Sequence, residues 1–505
     1  MSVSEDRIPV IIGVGQINDR PENPVDGLDS LGLMVEALRI AEQDAGGGEW
    51  LKLADGVLIV DQISFAKMGD LSGPVAEAIG AKPKECRKTK YPMGDSPVRL
   101  LNEAANIIGS GEGQIVAVTG AEALRTAAAR AKAAMAAKGE QKEVSAIRDA
   151  SKQRPIAYRD KFGLTAPVDV YPLYENAGRH AYGQTLEEGQ RESGEIWSRF
   201  SQVADAEEGA WIHAPKSVEE VITPTADNRP ISFPYTKFMV ANSSVNQGAG
   251  FIVTSLGEAK RRGISEEKLI YVGQGASANE PGDFLKRDDY THSVSMAKTL
   301  NRTMELNGLK TDQLDFVELY SCFPCVPKMA RRVIDWPVEK SATVFGGLTF
   351  GGGPIANYMS HAIVCMVEKL REEGKYGMLF ANGGFATNNH TIVIGRDPEL
   401  ATHFPQDFDY QEEANAERGM VPELIEAYEG PGEIETYTVH YKRDGSPRFG
   451  VVVGRTEDGT KRFLAKIPAS DEAGIAFLTD GKMDPIGTKG VAVPGEDDVK
   501  FWQRT

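Results

Sequence analysis

Apolar residues recur along this chain with two periods, and the changes of period divide it into regions. Residues 8–15, IPVIIGVG, form a short apolar run closed by glycine, which predicts a buried strand. Residues 28–45 place Leu31, Leu33, Val35, Leu38, Ile40 and Ala41 at helical spacing and predict a helix. Residues 55–65, DGVLIVDQISF, predict a second strand. The run 97–109, PVRLLNEAANIIG, opens on proline, which suits a first helical turn, and puts Val98, Leu101, Ala105 and Ile108 on one face. GEGQIVAVTGAEA then supplies a turn, a strand and a glycine-rich end, and strand character resumes at 249–255 and 268–273. Strands alternating with helices imply a layered α/β domain.

A second cycle repeats that order: helix 293–307, strand 314–320, a glycine-rich loop 346–353, helix 354–371, and strands 376–382 and 390–395. The repetition predicts an internal duplication of an α/β half. Between the cycles, residues 123–212 are rich in Ala, Lys and Glu and helical in pattern, which predicts an insertion lying over the core. From residue 433 the pattern changes to short β runs, IETYTVHY, RFGVVVGR and KRFLAKIP, separated by Asp444-Gly445 and Asp458-Gly459. An Asp-Gly pair between such runs is a hairpin signal. The expected organisation is therefore a first half from 1–122 and 213–258, an insertion at 123–212, a second half at 259–400, a linker at 401–432 with Pro431 and Gly432, and a small β-barrel or sandwich domain at 433–505.

Bulk properties narrow the partners. The chain has 505 residues, 56 basic and 73 acidic, for a net charge of −17, which argues against non-specific binding to nucleic acid or anionic membranes. No apolar run approaches the roughly 18–20 residues of a membrane span. The start, MSVSEDRIPVIIGVG, lacks the basic and long apolar regions of a signal peptide, so a cytoplasmic protein is expected. Four cysteines, Cys86, Cys322, Cys325 and Cys365, are too few for a disulfide scaffold, and Cys86 reads as a buried structural thiol.

Candidate chemistry lies in four loops rich in glycine or small residues: Met93 to Pro97, Asn242 to Gly248, Gly346 to Pro354, and Ala381 to Phe385. Glycine lets a backbone approach a ligand, and a helix N-terminus presents N–H groups that stabilise oxyanions. Each loop alone reads equally as an ordinary turn. No G-x-G-x-x-G dinucleotide fingerprint precedes a helix, and no metal-ligand set emerges. Cys322 and Cys325 form C-x-x-C, but Pro324 between them and the lack of a second pair argue against zinc.

Taken together and in order, these segments resemble the thiolase superfamily over about residues 8–396. VRLLNEAANIIGSGEGQIVAVTGAEAL resembles the helix and strand that follow the family's nucleophile. NSSVNQGAG resembles the stretch bordering the pantetheine channel. LDFVELYSCFP resembles the strand ending in NEAF, or HDCF in the sterol-carrier-protein thiolases. GGGPIANY resembles the GHPIGATG segment, and YGMLFANGGF the closing CxGGG strand. The resemblance is strongest to acetyl-CoA acetyltransferase-like, type 1 thiolase-like proteins, which carry an extra C-terminal β domain. It implies a duplicated thiolase fold of two α/β/α halves, layered α-β-α-β-α, with a helical loop insertion and a small OB-like tail. It also implies a CoA thioester as ligand, with Ser243, Asn246, Gly352 and Gly384 as binding candidates, no bound cofactor and no metal.

Three positions depart from the family pattern. The nucleophilic cysteine position falls on Gly94, the GHP histidine on Gly353, and the CxGGG cysteine on Ala381. A thiolase needs a thiolate and a base there. Ser96 has no histidine close in sequence to activate it. Cys322 sits where the sterol-carrier-protein type keeps an acid/base cysteine, Tyr320 opens the same motif, and Tyr358 and His361 follow Pro354 by one and two helical turns. Three readings follow. The first is an acyl-CoA-binding, acyltransferase-type protein in which standard thiolysis and Claisen condensation are lost. The second is a retro-aldol lyase on a β-hydroxyacyl-CoA that uses Tyr320 and Tyr358. The third is a non-catalytic scaffold. A homodimer, or a partner protein recruited by the β tail, is expected. The basic stretches Arg125–Lys138 and Lys260–Arg262 stand as phosphate contacts or as solvated helix faces.

Overall fold

The structure is a computed structural model and describes residues 3–138, 157–496 and 498–505. Its centre is a nine-stranded sheet path. The first half contributes, from the edge inward, strands Glu85–Lys88, Gly56–Ile59, Ile115–Ala123, Asn246–Ser255 and Pro9–Asn18. The second half continues with Ile270–Asn279, Asn388–Gly395, Tyr376–Gly383 and Phe316–Leu319. The halves meet through two residue pairs, Val10 with Tyr271 and Ile11 with Ile270.

Two helices lie between the halves, Ser96–Ser110 and Tyr358–Glu372, and each packs on strands of both. Burial on all sides explains their composition. Tyr358 to Val367 are buried without a break, so this segment has no polar face to set a clean 3.6 period. Helices Ser30–Asp44 and Val294–Leu306 cover the outer faces of the first and second halves. The layers are therefore helix, strands, paired helices, strands, helix, as the resemblance implies. Among the described residues no helix is long and apolar enough to cross a membrane.

The insertion contributes helices Leu124–Ala137, Pro167–Ala181 and Leu186–Ala206. The third opens on a capping box, with Thr185 Oγ1 accepting from the Glu188 amide at 3.2 Å and the Glu188 carboxylate accepting from the Thr185 amide at 2.8 Å. The part of the predicted insertion at 139–156 lies outside the described residues.

The tail closes on itself. Strand Gly430–Tyr441 pairs with Pro447–Thr456, which pairs with Lys461–Pro468, then Lys500–Arg504, then Lys489–Pro494, and back to Gly430–Tyr441. A closed ring has no free edge, which protects a small β domain from adding foreign strands. Both Asp-Gly turns hold their glycines at positive φ, +83° at Gly445 and +70° at Gly459, a region that disfavours any side chain. Two short strands, Pro230–Ser232 and Tyr235–Thr236, leave the first half to join this sheet through Ser232 and His440. Arg462 anchors the barrel to the second half. It is fully buried, pairs with Glu435 at 2.6 Å, and donates to the carbonyls of Leu285 and Arg287.

One expectation is overturned here. Cys86 is exposed, because Glu85–Lys88 is the edge strand of the sheet. Its neighbours Glu85, Arg87 and Lys88 are charged, the usual composition of an unpaired edge.

Candidate functional site

The fold brings the Met93–Pro97 loop, the YSCF turn and the closing strand to one point. Gly94 is buried just ahead of the Ser96–Ser110 helix. A Cβ built on Gly94 would lie 2.5 Å from the Tyr320 hydroxyl and closer still to the backbone carbonyl of Asn382. The volume where a side chain would start is therefore filled, on one side by a phenol and on the other by rigid backbone. Glycine here is a steric requirement of the closed site.

Tyr320 follows the short strand Phe316–Leu319, its amide bonded to the Phe380 carbonyl at 3.1 Å. Its side chain is 5% exposed and its hydroxyl makes no hydrogen bond to a described residue. Burial, then the neighbouring Cys322 and Asp95, push its pKa well above the usual phenol range. It is a proton-bearing donor at neutral pH. Asp95 is itself buried, which raises its pKa, while Arg99 at 3.5 Å opposes that shift.

Tyr358 stacks edge-on against Tyr320, with ring centroids 5.8 Å apart, but its hydroxyl serves another partner. It donates to Glu318 Oε1 at 2.8 Å. Thr343 Oγ1 and the Val344 amide donate to Oε2 of the same carboxyl at 2.8 and 2.9 Å. Full burial raises the Glu318 pKa to about 7.

Cys322 is 9% exposed, and burial pushes its thiol up to about 12. At neutral pH it is a protonated thiol. Tyr171, from the insertion helix Pro167–Ala181, stacks on Phe323 at 4.7 Å. Its hydroxyl donates to Asn382 Oδ1 at 2.9 Å and accepts from the Ala386 amide at 2.9 Å. The insertion thereby fixes the closing loop 383–387. Periodicity gave no sign of Tyr171, and the only signal was its place in a segment read as cover for the core.

His361 lies apart from this group. Its Nδ1–H donates to Gln16 Oε1 at 2.8 Å, its ring stacks on Phe345, and Nε2 has no partner. Burial lowers its pKa to about 3, so the imidazole is a weak base. Gly353 donates its amide to the Asn242 carbonyl at 2.8 Å, and a Cβ there would lie 3.1 Å from the same oxygen. Ala381 is buried in the strand paired with His390.

The binding candidates differ in what remains available. Ser243 is half-buried and its hydroxyl makes no hydrogen bond to a described residue. Asn246 is fully buried; Oδ1 accepts from the Thr126 amide, and Nδ2 donates to Thr126 Oγ1 at 2.8 Å and the Asp19 carbonyl at 3.2 Å, so its amide holds the insertion to the first half. Gly352 adopts φ +108° against the Gln247 side chain. Gln247 donates to the Gly351 carbonyl at 2.8 Å and leaves a buried, unpaired Oε1. Gly384 adopts φ +69° beside Thr387.

Comparison with known proteins agrees with this fold. Residues 409–496 match the family described as the thiolase-like protein type 1 additional C-terminal domain. A monomeric SCP2-thiolase-like protein type 1 from Mycobacterium smegmatis superposes with a TM-score of 0.82 at 30% identity, covering 99% of both chains. An Ltp2-ChsH2(DUF35) aldolase shares the fold at 16% identity and TM-score 0.58, over 77% of this chain and 97% of that one. Among curated sequences, an acetyl-CoA acetyltransferase IA of Candida tropicalis is 28% identical over 145 residues, 28% of this chain and 34% of that enzyme. The match therefore spans about a third of the curated relative's length.

Proposed function

The chain belongs to the SCP2-thiolase-like proteins of type 1, and from that premise we propose that it binds an acyl-CoA thioester without running thiolysis or Claisen condensation. The observation that carries this reading is the Gly94 position. Its side-chain space is taken by Tyr320 and Asn382, so the fold's nucleophile is replaced by a hydrogen-bond donor. Thiolysis needs a thiolate to form an acyl-enzyme and a base to move protons. Cys322 at about 12 and His361 at about 3 supply neither at neutral pH. The unpartnered Tyr320 hydroxyl suits the carbonyl oxygen of a thioester, where a donor stabilises partial negative charge. Calorimetric titration with acetyl-CoA, paired with an acetoacetyl-CoA thiolysis assay, tests this. Saturable binding with no thiolysis is expected; thiolysis above the uncatalysed rate contradicts it.

A second reading, retro-aldol cleavage of a β-hydroxyacyl-CoA, is favoured by the same free hydroxyl, which would stabilise the enolate oxygen. The Tyr358 hydroxyl is held by Glu318, so the second tyrosine would act only by positioning the first. Release of an aldehyde or ketone from a β-hydroxyacyl-CoA, abolished in Tyr320→Phe, would establish this reading over the first.

A further inference from the structure

Helix Pro167–Ala181 of the insertion is buried on two opposite sides, and the two sides meet different parts of the molecule. Successive residues turn by about 100°, so Tyr171 and Tyr174 share one face while Asp169, Leu173, Asn176 and His180 share the other. The first face holds the site. Besides the contacts of Tyr171 with Asn382 and Ala386, the Tyr174 hydroxyl donates to the Phe385 carbonyl at 3.2 Å and accepts from Arg287 Nε at 3.0 Å. The second face lies on the C-terminal barrel. Thr436 Oγ1 donates to the Leu173 carbonyl at 2.6 Å, and Asn176 Nδ2 donates to the Tyr437 carbonyl at 2.8 Å. Asp169 approaches His440 Nδ1 at 3.5 Å. At the end of the helix Asp484 accepts from Arg179 Nη2 at 2.8 Å and contacts His180 Nδ1 at 2.8 Å. Thr436 and Asn176 are fully buried, so their bonds to the carbonyls do not compete with water.

The helix gains from an outside brace because Pro172 stands in its interior, between Tyr171 and Leu173. A proline there has no N–H to donate to the Val168 carbonyl, and its ring crowds that oxygen. The turn that carries Tyr171 is therefore weakly held by its own backbone. The Thr436 hydroxyl meets the helix one residue past the proline, at Leu173. Tyr171 in turn reaches Asn382, whose backbone carbonyl fills the side-chain space of Gly94, and stacks on Phe323 in the turn that carries Tyr320. Direct contacts thus run from the barrel strand Gly430–Tyr441, through one helix, to the site. A run of contacts carries coupling only where its two ends respond to each other, which a measurement on both ends reveals.

We propose that the C-terminal barrel is a positioning element of the thioester site: Thr436, with Asn176 and Asp484, sets the helix so that Tyr171 holds loop 383–387 in its binding geometry. This rests on the thioester-binding reading above. Two measurements on the full chain test it, hydrogen exchange of the 383–387 amides without ligand and calorimetric titration with acetyl-CoA. Thr436→Val keeps the shape of the side chain and removes its hydroxyl. In this variant those amides should exchange about threefold faster or more, and affinity for acetyl-CoA should fall by a similar factor. Thr436→Ser, which keeps the hydroxyl, should restore both. Tyr171→Phe should speed the same amides, and Thr436→Val added to it should speed them no further, since the two act through one contact. Melting curves establish folding; should Thr436→Val not fold, Asp484→Ala, at the partly exposed end of the same interface, takes its place. If the wild type and Thr436→Val bind acetyl-CoA equally well, the proposal is overturned and the thioester reading stands. If Thr436→Val speeds loop exchange and Thr436→Ser reverses it, while the wild type binds no acetyl-CoA, the hold of the barrel on the loop stands and the thioester reading falls. Unchanged exchange together with no binding removes both.

Discussion

The hydroxyl of Tyr320 stands 2.5 Å from where a Cβ on Gly94 would be, so the residue that opens the YSCF turn occupies the space in which a side chain at position 94 would begin. A side chain at position 94 and the inward-turned tyrosine therefore exclude one another.

Gly94→Cys should therefore be inactive in thiolysis and destabilised. The Asn382 carbonyl belongs to a central strand and cannot retreat, and overpacking of this kind costs about 1–3 kcal/mol. Urea unfolding alongside a thiolysis assay checks both parts; a stable, active variant would show that the site opens more than the structure does.

Thiol reactivity should separate the four cysteines. Cys86 is exposed on the edge strand, while Cys322, Cys325 and Cys365 are buried with raised pKa values. Native protein treated briefly with iodoacetamide at pH 7.5 should carry its label on Cys86, and all four should label in denaturant. Peptide mapping that finds Cys322 modified first would indicate an activated thiol and reopen covalent chemistry.

Glu318 and His361 should bend the stability profile in opposite directions. The Glu318 pKa is about 7 in the fold against 4.5 ordinarily, so between these values the folded state holds more protons than the unfolded state. Stability from this group falls as pH rises from about 4.5 to 7, by on the order of 3 kcal/mol. His361 titrates near 3 in the fold against 6.5, so its contribution rises with pH over that interval. Urea unfolding of Glu318→Gln between pH 4.5 and 7.5 should show the falling component removed, whatever the absolute loss; an unchanged slope would mean Glu318 titrates normally.

Much of this was legible in the chain because the α/β halves obey simple periods. The Ser96–Ser110 helix lies within a residue of the segment read from Val98, Leu101, Ala105 and Ile108, and the Asp-Gly turns lie between the strands they separate. The exposure of Cys86 had a local signal in its charged neighbours Glu85, Arg87 and Lys88, but the place of this short strand at the sheet edge follows only from the strand order. The contact of Tyr320 with Gly94 was illegible for a different reason. It joins residues 226 positions apart, and their meeting depends on the packing of both halves. Tyr171 was missed likewise, since its role lies in its contacts with Asn382 and Ala386 across the insertion.

The barrel should depend on Arg462. Arg462→Met leaves Glu435 with Arg455 at 2.7 Å as its remaining cation and removes the donors to Leu285 and Arg287. Breaking a buried pair in this way costs about 3–5 kcal/mol. Limited proteolysis should then cut between the second half and the barrel faster than in wild type. An unchanged digestion pattern and melting temperature would show the barrel held by its apolar contacts alone.

Calorimetric titration of acetyl-CoA into the wild type and into Tyr320→Phe addresses the donor role of Tyr320 most directly, because the variant removes one oxygen and nothing else. The thioester-binding account predicts saturable binding to the wild type and affinity weakened by about fivefold in the variant, the worth of one hydrogen bond to a carbonyl. Equal affinity in the two proteins would mean that the thioester oxygen does not meet Tyr320, and would contradict the account.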